Sequence, residues 1–286
     1  WGMLLFPPVL WMCRVLQFSR LQTLMVSWWI AVSSFFVTLS RWIRMYSMFL
    51  PVFLTWVICL YKFIEAERTN SRILYGVLSL VLGVFSLHLH LLTISILPAV
   101  FIYWLQSKRF EKTFKWSRLL LVGAVLVVVG IPGLMIGKDF LNPGHYLSLN
   151  HLYVSYLVYE PMGWILGSVF MGTAVLSSPK REPRGFLLLI IVITLLLMVS
   201  LTRRYEAYRY VSHLILLSYF PICWGFFEVL ESLGDRGGKL SGILVLGLGF
   251  GLPLWEFVLW IPELWNGYMG SLYSHIRIIT LLPVVH

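Results

Sequence analysis

Long apolar runs recur along the whole sequence and constrain the fold more than any other feature. They lie at residues 1–13, 22–39, 46–62, 73–87, 91–106, 119–136, 160–177, 186–201, 211–227 and 240–260, and most hold 16 to 21 residues. A helix needs about 20 apolar residues to cross a bilayer, and backbone groups in lipid must be bonded internally. Because the runs lack an alternation of period two, they predict helices rather than barrel strands. The expected fold class is therefore all-α, a polytopic transmembrane helix bundle with about ten membrane segments.

Composition excludes a soluble domain. The chain is 59% hydrophobic and 12% charged, whereas soluble domains are about 45–50% apolar and about 25% charged. We expect a single transmembrane domain over residues 1–286. We also expect it to be incomplete at the N-terminus, because Trp1 opens an apolar stretch with no Met or charged region before it. The net charge of +10 does not predict nucleic acid as a partner, since the basic residues form short clusters between the runs.

The distribution of basic residues predicts the topology. When the connections between runs are assigned alternately to two sides, one side holds 15 of the 22 Lys and Arg residues. By the positive-inside rule that side is cytoplasmic. The expected location is the bacterial plasma (inner) membrane with extracytoplasmic outer loops, of which residues 137–159 form the longest. Runs 73–87 and 91–106 are short for a crossing, which leaves open either short helices or a re-entrant pair.

Two basic and aromatic segments fall on the outer side. Arg41 and Arg44 are three residues apart, so on a helix they would share a face, where two guanidinium groups can bind a phosphate. Anchoring to phospholipid headgroups is the simpler alternative. The second segment, residues 202–214, interleaves three arginines with three tyrosines. It fits either an anion site or an aromatic belt with snorkelling arginines. The basic members of both segments are Arg41, Arg44, Arg203, Arg204 and Arg209.

His88 and His90 are the remaining polar candidates near an outer edge. On a helix, two residues that are two apart point in directions about 200° apart, so a shared metal would need a break in the helix. Hydrogen bonding to a substrate or a neighbouring helix is the expected role, and no metal site is predicted.

Acidic residues are scarce on the outer side. Asp139 and Glu160 are the candidates for a catalytic carboxylate, although an ion pair with Lys138 and a charge at a helix N-terminus explain them more simply. The other outer acids are Glu206, Glu256 and Glu263. The three cysteines, Cys13, Cys59 and Cys223, lie in or beside apolar runs without CxxC spacing. We interpret them as small core or lipid-facing residues.

A succession of loose motifs resembles a known family. These are SSFFVTLSRWIRMY, LYKFIEAERTNSR and ILYGVLSLVLGVFSLHLHLLTISILPAVFIYWL, followed much later by RRYEAYRYVSHLILLSYFPI. In order and spacing they resemble the polytopic glycosyltransferases of the GT-C fold, which include protein mannosyltransferases and lipid A aminoarabinose transferase. The resemblance covers roughly 100 residues. The chain departs from the family at Trp42 and Ile43, where relatives commonly have Glu, and at His88-Leu89, where the family has His-Tyr.

This resemblance implies a function and a set of site residues. Such enzymes take a sugar from a polyprenyl- or dolichyl-phosphate carrier and transfer it on the extracytoplasmic side. By resemblance, Arg44 and Tyr46 match one arginine-tyrosine pair of the family, and Arg209 and Tyr210 match a later one. Family catalysis uses acids in the first outer loop, which we expect upstream of Trp1.

The expectation is therefore a GT-C glycosyltransferase whose catalytic acid is not identifiable in these residues. The alternative is a non-catalytic GT-C-like subunit that binds lipid or scaffolds a larger membrane complex. The expected partners are a polyprenyl-phosphate sugar and membrane lipids, with protein subunits left open. No cofactor is assigned, and a divalent cation stays open.

Overall fold

The computed structural model describes residues 2–37, 44–105, 161–177, 183–201, 212–232 and 238–266. In these ranges the secondary structure is helical, with short connections and no strand. The all-α prediction is confirmed there. The count of about ten membrane segments stays a prediction, because run 119–136 and the outer loop 137–159 lie outside the described residues.

The described part of the chain contains the following helices, given in chain order. They are α1 (Phe6–Val15), α2 (Arg20–Val32), α3 (Arg44–Glu65), α4 (Thr69–Leu89), α5 (Leu97–Leu105), α6 (Pro161–Ser177), α7 (Pro183–Leu201), α8 (Ser212–Ser232), α9 (Gly238–Leu244) and α10 (Leu252–Asn266). Two 3-10 segments, Gly2–Leu5 and Leu91–Ile96, precede α1 and α5, and a π-helix, Val245–Gly251, joins α9 to α10.

Four helical stretches of the described chain are long and apolar enough to cross a membrane. They are Met48–Glu65, Thr69–Leu89, Ser212–Ser232 and Ser241–Leu259. Shorter apolar helices occupy Met3–Val15, Thr93–Leu105 and Pro183–Leu195. These lengths match the thickness of a hydrocarbon core, so the chain is an integral membrane protein.

Helix α4 is longer than the apolar run that predicts it. From run 73–87, either a short helix or half of a re-entrant pair is expected. The helix instead extends over 21 residues, from Thr69 to Leu89. Polar residues such as Asn70 and His88 continue the helix at its ends, where a membrane helix meets the polar headgroup layer. Run 91–106 instead contains a 3-10 turn and the nine-residue helix α5.

Helix α8 is the centre of the bundle. Every residue from Ser212 to Phe226 is buried, and its neighbours are α2, α3, α6 and α7. Helix α4 is the opposite case, since one of its faces exposes large apolar side chains. These include Ile73, Leu74, Val77, Val81 and Val84. Lipid tails are as apolar as these side chains, so their exposure is compatible with a membrane protein.

The three cysteines are buried and free. Cys13 and Cys223 belong to the main apolar core, and the Cys223 thiol lies 3.6 Å from the backbone oxygen of Gln22. The interpretation of these residues as small core side chains is confirmed.

Two tryptophans of α2 stabilise the π-helix. The indole N–H of Trp29 donates to the carbonyl oxygen of Gly249, and that of Trp28 donates to the carbonyl oxygen of Phe250 at 3.1 Å. In an α-helix the Gly249 carbonyl would accept from the N–H of residue 253. That residue is Pro253, which has no N–H to donate. Pro253 cannot serve as that donor, and the Trp29 indole N–H gives the Gly249 carbonyl a hydrogen bond from α2.

Trp29→Phe is expected to lower the free energy of unfolding by about 1–3 kcal/mol, because it removes the donor from a buried carbonyl group. Trp28→Phe is the matched control, with an expected loss below about 1 kcal/mol, since its bond is only part-buried and residue 254, four positions after Phe250, is a leucine that has an N–H. Thermal unfolding of the purified variants in detergent micelles measures both. Equal losses would contradict this role of Trp29.

Candidate functional site

Two helices that follow the basic and aromatic segments begin at the same end of the bundle. Helix α3 begins at Arg44 and helix α8 begins at Ser212. The ring of His213 lies 6.0 Å from that of Phe49 and 5.0 Å from that of Phe53, measured between centroids. We call this the Arg44 end of the bundle.

His90 joins these rings from the end of α4. The helix ends at Leu89, and His90 has an extended backbone with φ −155° and ψ 102°. Its N–H donates to the Ser86 carbonyl, and its own carbonyl accepts from the Thr93 hydroxyl at 2.7 Å. This turn places the His90 ring in the interior, stacked on Phe49 with centroids 4.9 Å apart.

Phe49, Phe53, His90 and His213 form one buried group, which we call the histidine cluster. The two imidazole centroids are 5.9 Å apart. Burial lowers the pKa of His90 to about 4, so its ring is neutral at physiological pH. The cluster is thus an aromatic layer in which the two imidazole rings pack among phenylalanine rings.

Polar atoms at the start of α8 have no hydrogen-bond partner among the described residues. They are both ring nitrogens of His213 and the hydroxyl oxygen of Ser212. Buried polar atoms are nearly always satisfied in native proteins, and ionisable residues inside a membrane commonly mark functional sites. A neutral imidazole can donate one hydrogen bond and accept one. The cluster can therefore orient a polar group that reaches the Arg44 end.

The two histidines singled out in the sequence are separated by the structure. His90 is buried, whereas His88 lies on the exposed side of the last turn of α4. Their side chains therefore point apart, and of the two only His90 belongs to the cluster. Its contacts fit the predicted role toward a neighbouring helix.

The other predicted site residues are placed only in part. Arg44 and Tyr46 lie in the first turn of α3 by their backbone. Arg41, Asp139, Glu160, Arg203, Arg204, Arg209 and Tyr210 lie outside the described residues. Whether the five arginines converge stays a prediction.

Two ionisable residues of the buried interior, His213 and Glu256, are not among the predicted site residues. His213 lies in the basic and aromatic segment 202–214, and Glu256 is one of the outer acids. The signal common to both is an ionisable side chain inside a long apolar helix. Glu256 is only 4% exposed, and it lines a cavity with Ser33 and Tyr219.

Within the described ranges, no group of three or more His, Cys, Asp or Glu side chains could hold a metal ion. A divalent cation at the Arg44 end would need ligands from the remainder of the chain.

Comparison of the chain with protein-family models, with curated proteins and with solved structures found no match. Its function is therefore inferred from its own residues and their geometry.

Proposed function

We propose that this protein is an integral membrane glycosyltransferase that uses a polyprenyl- or dolichyl-phosphate-linked sugar and transfers the sugar on the extracytoplasmic side. The observation that supports it best is the contact between Phe53 and His213, whose ring centroids are 5.0 Å apart. This contact packs the first turn of α8 against Phe53, nine residues after the start of α3, so the two helices that follow the arginine-tyrosine segments are neighbours toward one end of the bundle. Those segments are far apart in sequence, at residues 40–47 and 202–214.

Both helix N-termini favour an anion at the Arg44 end. The first N–H groups of a helix lack partners within it, and the helix dipole places partial positive charge there. Arginine adds a permanent charge and a planar pair of donors that fits phosphate oxygens. We assign the phosphate contacts to Arg41, Arg44, Arg203, Arg204 and Arg209, and hydrogen bonds to the donor to Tyr46 and Tyr210.

The proposed reaction is an inverting displacement at the anomeric carbon. The acceptor oxygen forms a bond to that carbon while the bond from the carbon to the phosphate oxygen breaks, and the lipid phosphate leaves with the electron pair. The arginines stabilise the charge that develops on the phosphate. The acceptor proton passes to a carboxylate, for which Asp139 and Glu160 are the candidates in this chain.

The proposed sidedness follows from charge. The Arg44 end belongs to the side with seven of the 22 basic residues, which is the extracytoplasmic side by the positive-inside rule. The proposed location is the bacterial plasma membrane, where a lipid-linked sugar would reach the arginines from the bilayer.

Arg44→Ala and Arg209→Ala are each expected to reduce sugar transfer by about 100-fold or more, the usual effect of removing one donor from a charge-stabilising site. The measurement is transfer of label from a radiolabelled polyprenyl-phosphate sugar by the full-length protein in proteoliposomes. Arg68→Ala is the control, because Arg68 is exposed before α4, at the other end of that helix. It is expected to retain full transfer.

The alternative is a non-catalytic subunit that binds lipid or scaffolds a larger complex. Trp42 and Ile43, which occupy positions where the resembled family has a carboxylate, favour this alternative. A well-folded full-length protein that transfers none of several sugars, yet still binds polyprenyl phosphate through Arg44 and Arg209, would establish it.

A further inference from the structure

Two buried polar residues stand next to each other in the first turn of α8. Ser212 and His213 are both 0% exposed. The Ser212 hydroxyl oxygen and both ring nitrogens of His213 have no hydrogen-bond partner among the described residues. A buried polar group without a partner costs the full desolvation of that group, so native proteins nearly always satisfy it. These atoms therefore call for a partner that the described helices do not supply.

Packing alone does not account for an imidazole at this position. The His213 ring meets the rings of Phe49 and Phe53 at interplanar angles of 78° and 68°, and both phenylalanines are completely buried. A phenyl ring has no polar N–H, O–H or lone pair for a conventional hydrogen bond. A phenylalanine at residue 213 would fill nearly the same space without the desolvation cost. Because sequences depart from such rules mainly where function requires it, the polar ring indicates a ligand.

The imidazole lies deeper in the bundle than the proposed phosphate contacts. His213 is the second residue of the spanning stretch Ser212–Ser232, so it lies at one edge of the hydrocarbon layer. It is level with Phe49 and Phe53, which follow the backbone of Arg44 by five and nine residues. Five residues of helix correspond to about 7.5 Å. A sugar attached to a phosphate at the Arg44 end would occupy this interval and bring its hydroxyl groups toward His213.

Hydroxyl groups complement these polar atoms better than ions do. In its uncharged form an imidazole donates through one nitrogen and accepts through the other, and a serine hydroxyl does both. A sugar hydroxyl likewise donates and accepts, so it can bond to either ring nitrogen. A phosphate oxygen only accepts and an ammonium group only donates, so each would leave some of these atoms without a partner. The phenylalanine rings hold the imidazole in one orientation, which lowers the ordering cost of binding.

We propose that His213 and Ser212 hydrogen-bond hydroxyl groups of the sugar that the lipid phosphate carries, and so contribute to the choice of sugar. This inference rests on the proposed function, because it takes the position of the phosphate from the arginines assigned to it. It adds residues that recognise the sugar to the residues that bind the phosphate. His213 is a binding residue in this proposal and takes no part in the transfer of the acceptor proton.

The test measures lipid binding by the full-length protein in detergent with native mass spectrometry. The protein is titrated with polyprenyl phosphate, polyprenyl-phosphate glucose and polyprenyl-phosphate mannose. At least one of the two sugar lipids is expected to bind about tenfold or more tightly than polyprenyl phosphate, through hydrogen bonds that the bare phosphate lacks. Glucose and mannose differ in the orientation of a single hydroxyl group, so their relative affinities report on the choice of sugar.

His213→Phe is expected to lower the affinity for the sugar lipids to that for polyprenyl phosphate, and Ser212→Ala to lower it at least about threefold. Neither change is expected to alter the binding of polyprenyl phosphate itself. Thr55→Val is the matched control and is expected to keep the sugar preference, because the Thr55 hydroxyl donates to the Pro51 carbonyl at 2.7 Å within α3.

Thermal unfolding without lipid separates a binding role of His213 from a structural one. The Tm of His213→Phe is expected to equal or exceed that of the wild-type protein, because an apolar ring replaces polar atoms that lack a partner among the described residues. A fall in Tm together with an unchanged sugar preference would show that His213 serves only the fold, and would overturn the proposal.

Equal binding of the three lipids by the wild-type protein would also overturn the proposal, as would a sugar preference that His213→Phe leaves unchanged. Ser212→Ala decides the question if His213→Phe does not yield a monodisperse protein. The proposed function is tested separately by sugar transfer. A protein that shows the His213-dependent preference but transfers no sugar would contradict the transfer reaction and keep this inference. Sugar transfer with an unchanged preference in His213→Phe would contradict this inference alone.

Discussion

Gly225→Ala is expected to lower the free energy of unfolding by about 3 kcal/mol or more, because overpacking at a rigid contact forces the backbone to move. A Cβ atom at residue 225 would overlap the backbone carbonyl of Phe170 on α6 and lie 3.1 Å from the backbone nitrogen of Ala174. A carbonyl in a helix cannot rotate away as a side chain can. Helices α6 and α8 would have to separate, and α8 is the centre of the bundle.

Two other glycines on α6 are controls for this result. Gly172→Ala meets nothing within 4 Å, so it is expected to be neutral or to add about 0.5–1 kcal/mol through helix propensity. At Gly167 a Cβ would approach only the end of the Ile222 side chain, at 2.9 Å, which can change rotamer. Unfolding by dodecyl sulfate in mixed micelles compares all three. A Gly225→Ala protein as stable as Gly172→Ala would show that α6 and α8 are not in backbone contact.

Phe53→Ala is the second large effect, with an expected loss of about 2–4 kcal/mol in the free energy of unfolding. Phe53 is completely buried, and it contacts Trp56 and His213 by their rings. Removal of the ring leaves a cavity in the histidine cluster. This expected loss of stability is smaller than that typical of soluble cores. Lipid is as apolar as a protein core, so no hydrophobic transfer energy is lost and the cost is the lost packing alone.

The matched control is Phe85→Ala on α4, where the ring is 37% exposed. Its expected loss is below about 1 kcal/mol, since a partly lipid-exposed ring has few packing partners to lose. Phe53→Ala is also expected to reduce sugar transfer in proteoliposomes, because α3 and the first turn of α8 would lose this ring contact. Full sugar transfer by a destabilised Phe53→Ala protein would show that the histidine cluster has no role in the proposed site.

Much of the helical framework follows from local chemistry. The runs at 46–62 and 211–227 predict helices that the structure extends to Arg44–Glu65 and Ser212–Ser232. The start of α2 is encoded by a capping box, in which Ser19 and Gln22 satisfy each other's backbone N–H groups. Hydropathy underestimates helix ends, because polar residues at the headgroup layer continue a helix without adding to an apolar run.

The candidate sites depend on contacts between distant parts of the chain. Residue spacing shows that His88 and His90 would point apart on a continuous helix, but not that α4 ends at Leu89 and that the following turn carries His90 inward. Residue spacing also does not show that His90 contacts His213, which is 123 positions away. Glu256 carries one signal in the sequence, its position in an apolar helix, and nothing there shows that Tyr219 and Ser33 line the same cavity.

The sequence by itself determined that the chain is a membrane protein made of helices and where several of the described helices lie. The physical reason is that lipid requires every backbone group to be bonded within its own segment, so apolar length decides the element without reference to the rest of the chain. Tertiary structure alone decided which faces meet. Lipid and protein interior are almost equally apolar, so hydropathy does not show which face of a helix points inward. Close packing at glycines and a few polar contacts decide which face does. Gly225 against Phe170, and Trp29 with the carbonyl group of Gly249, are such contacts.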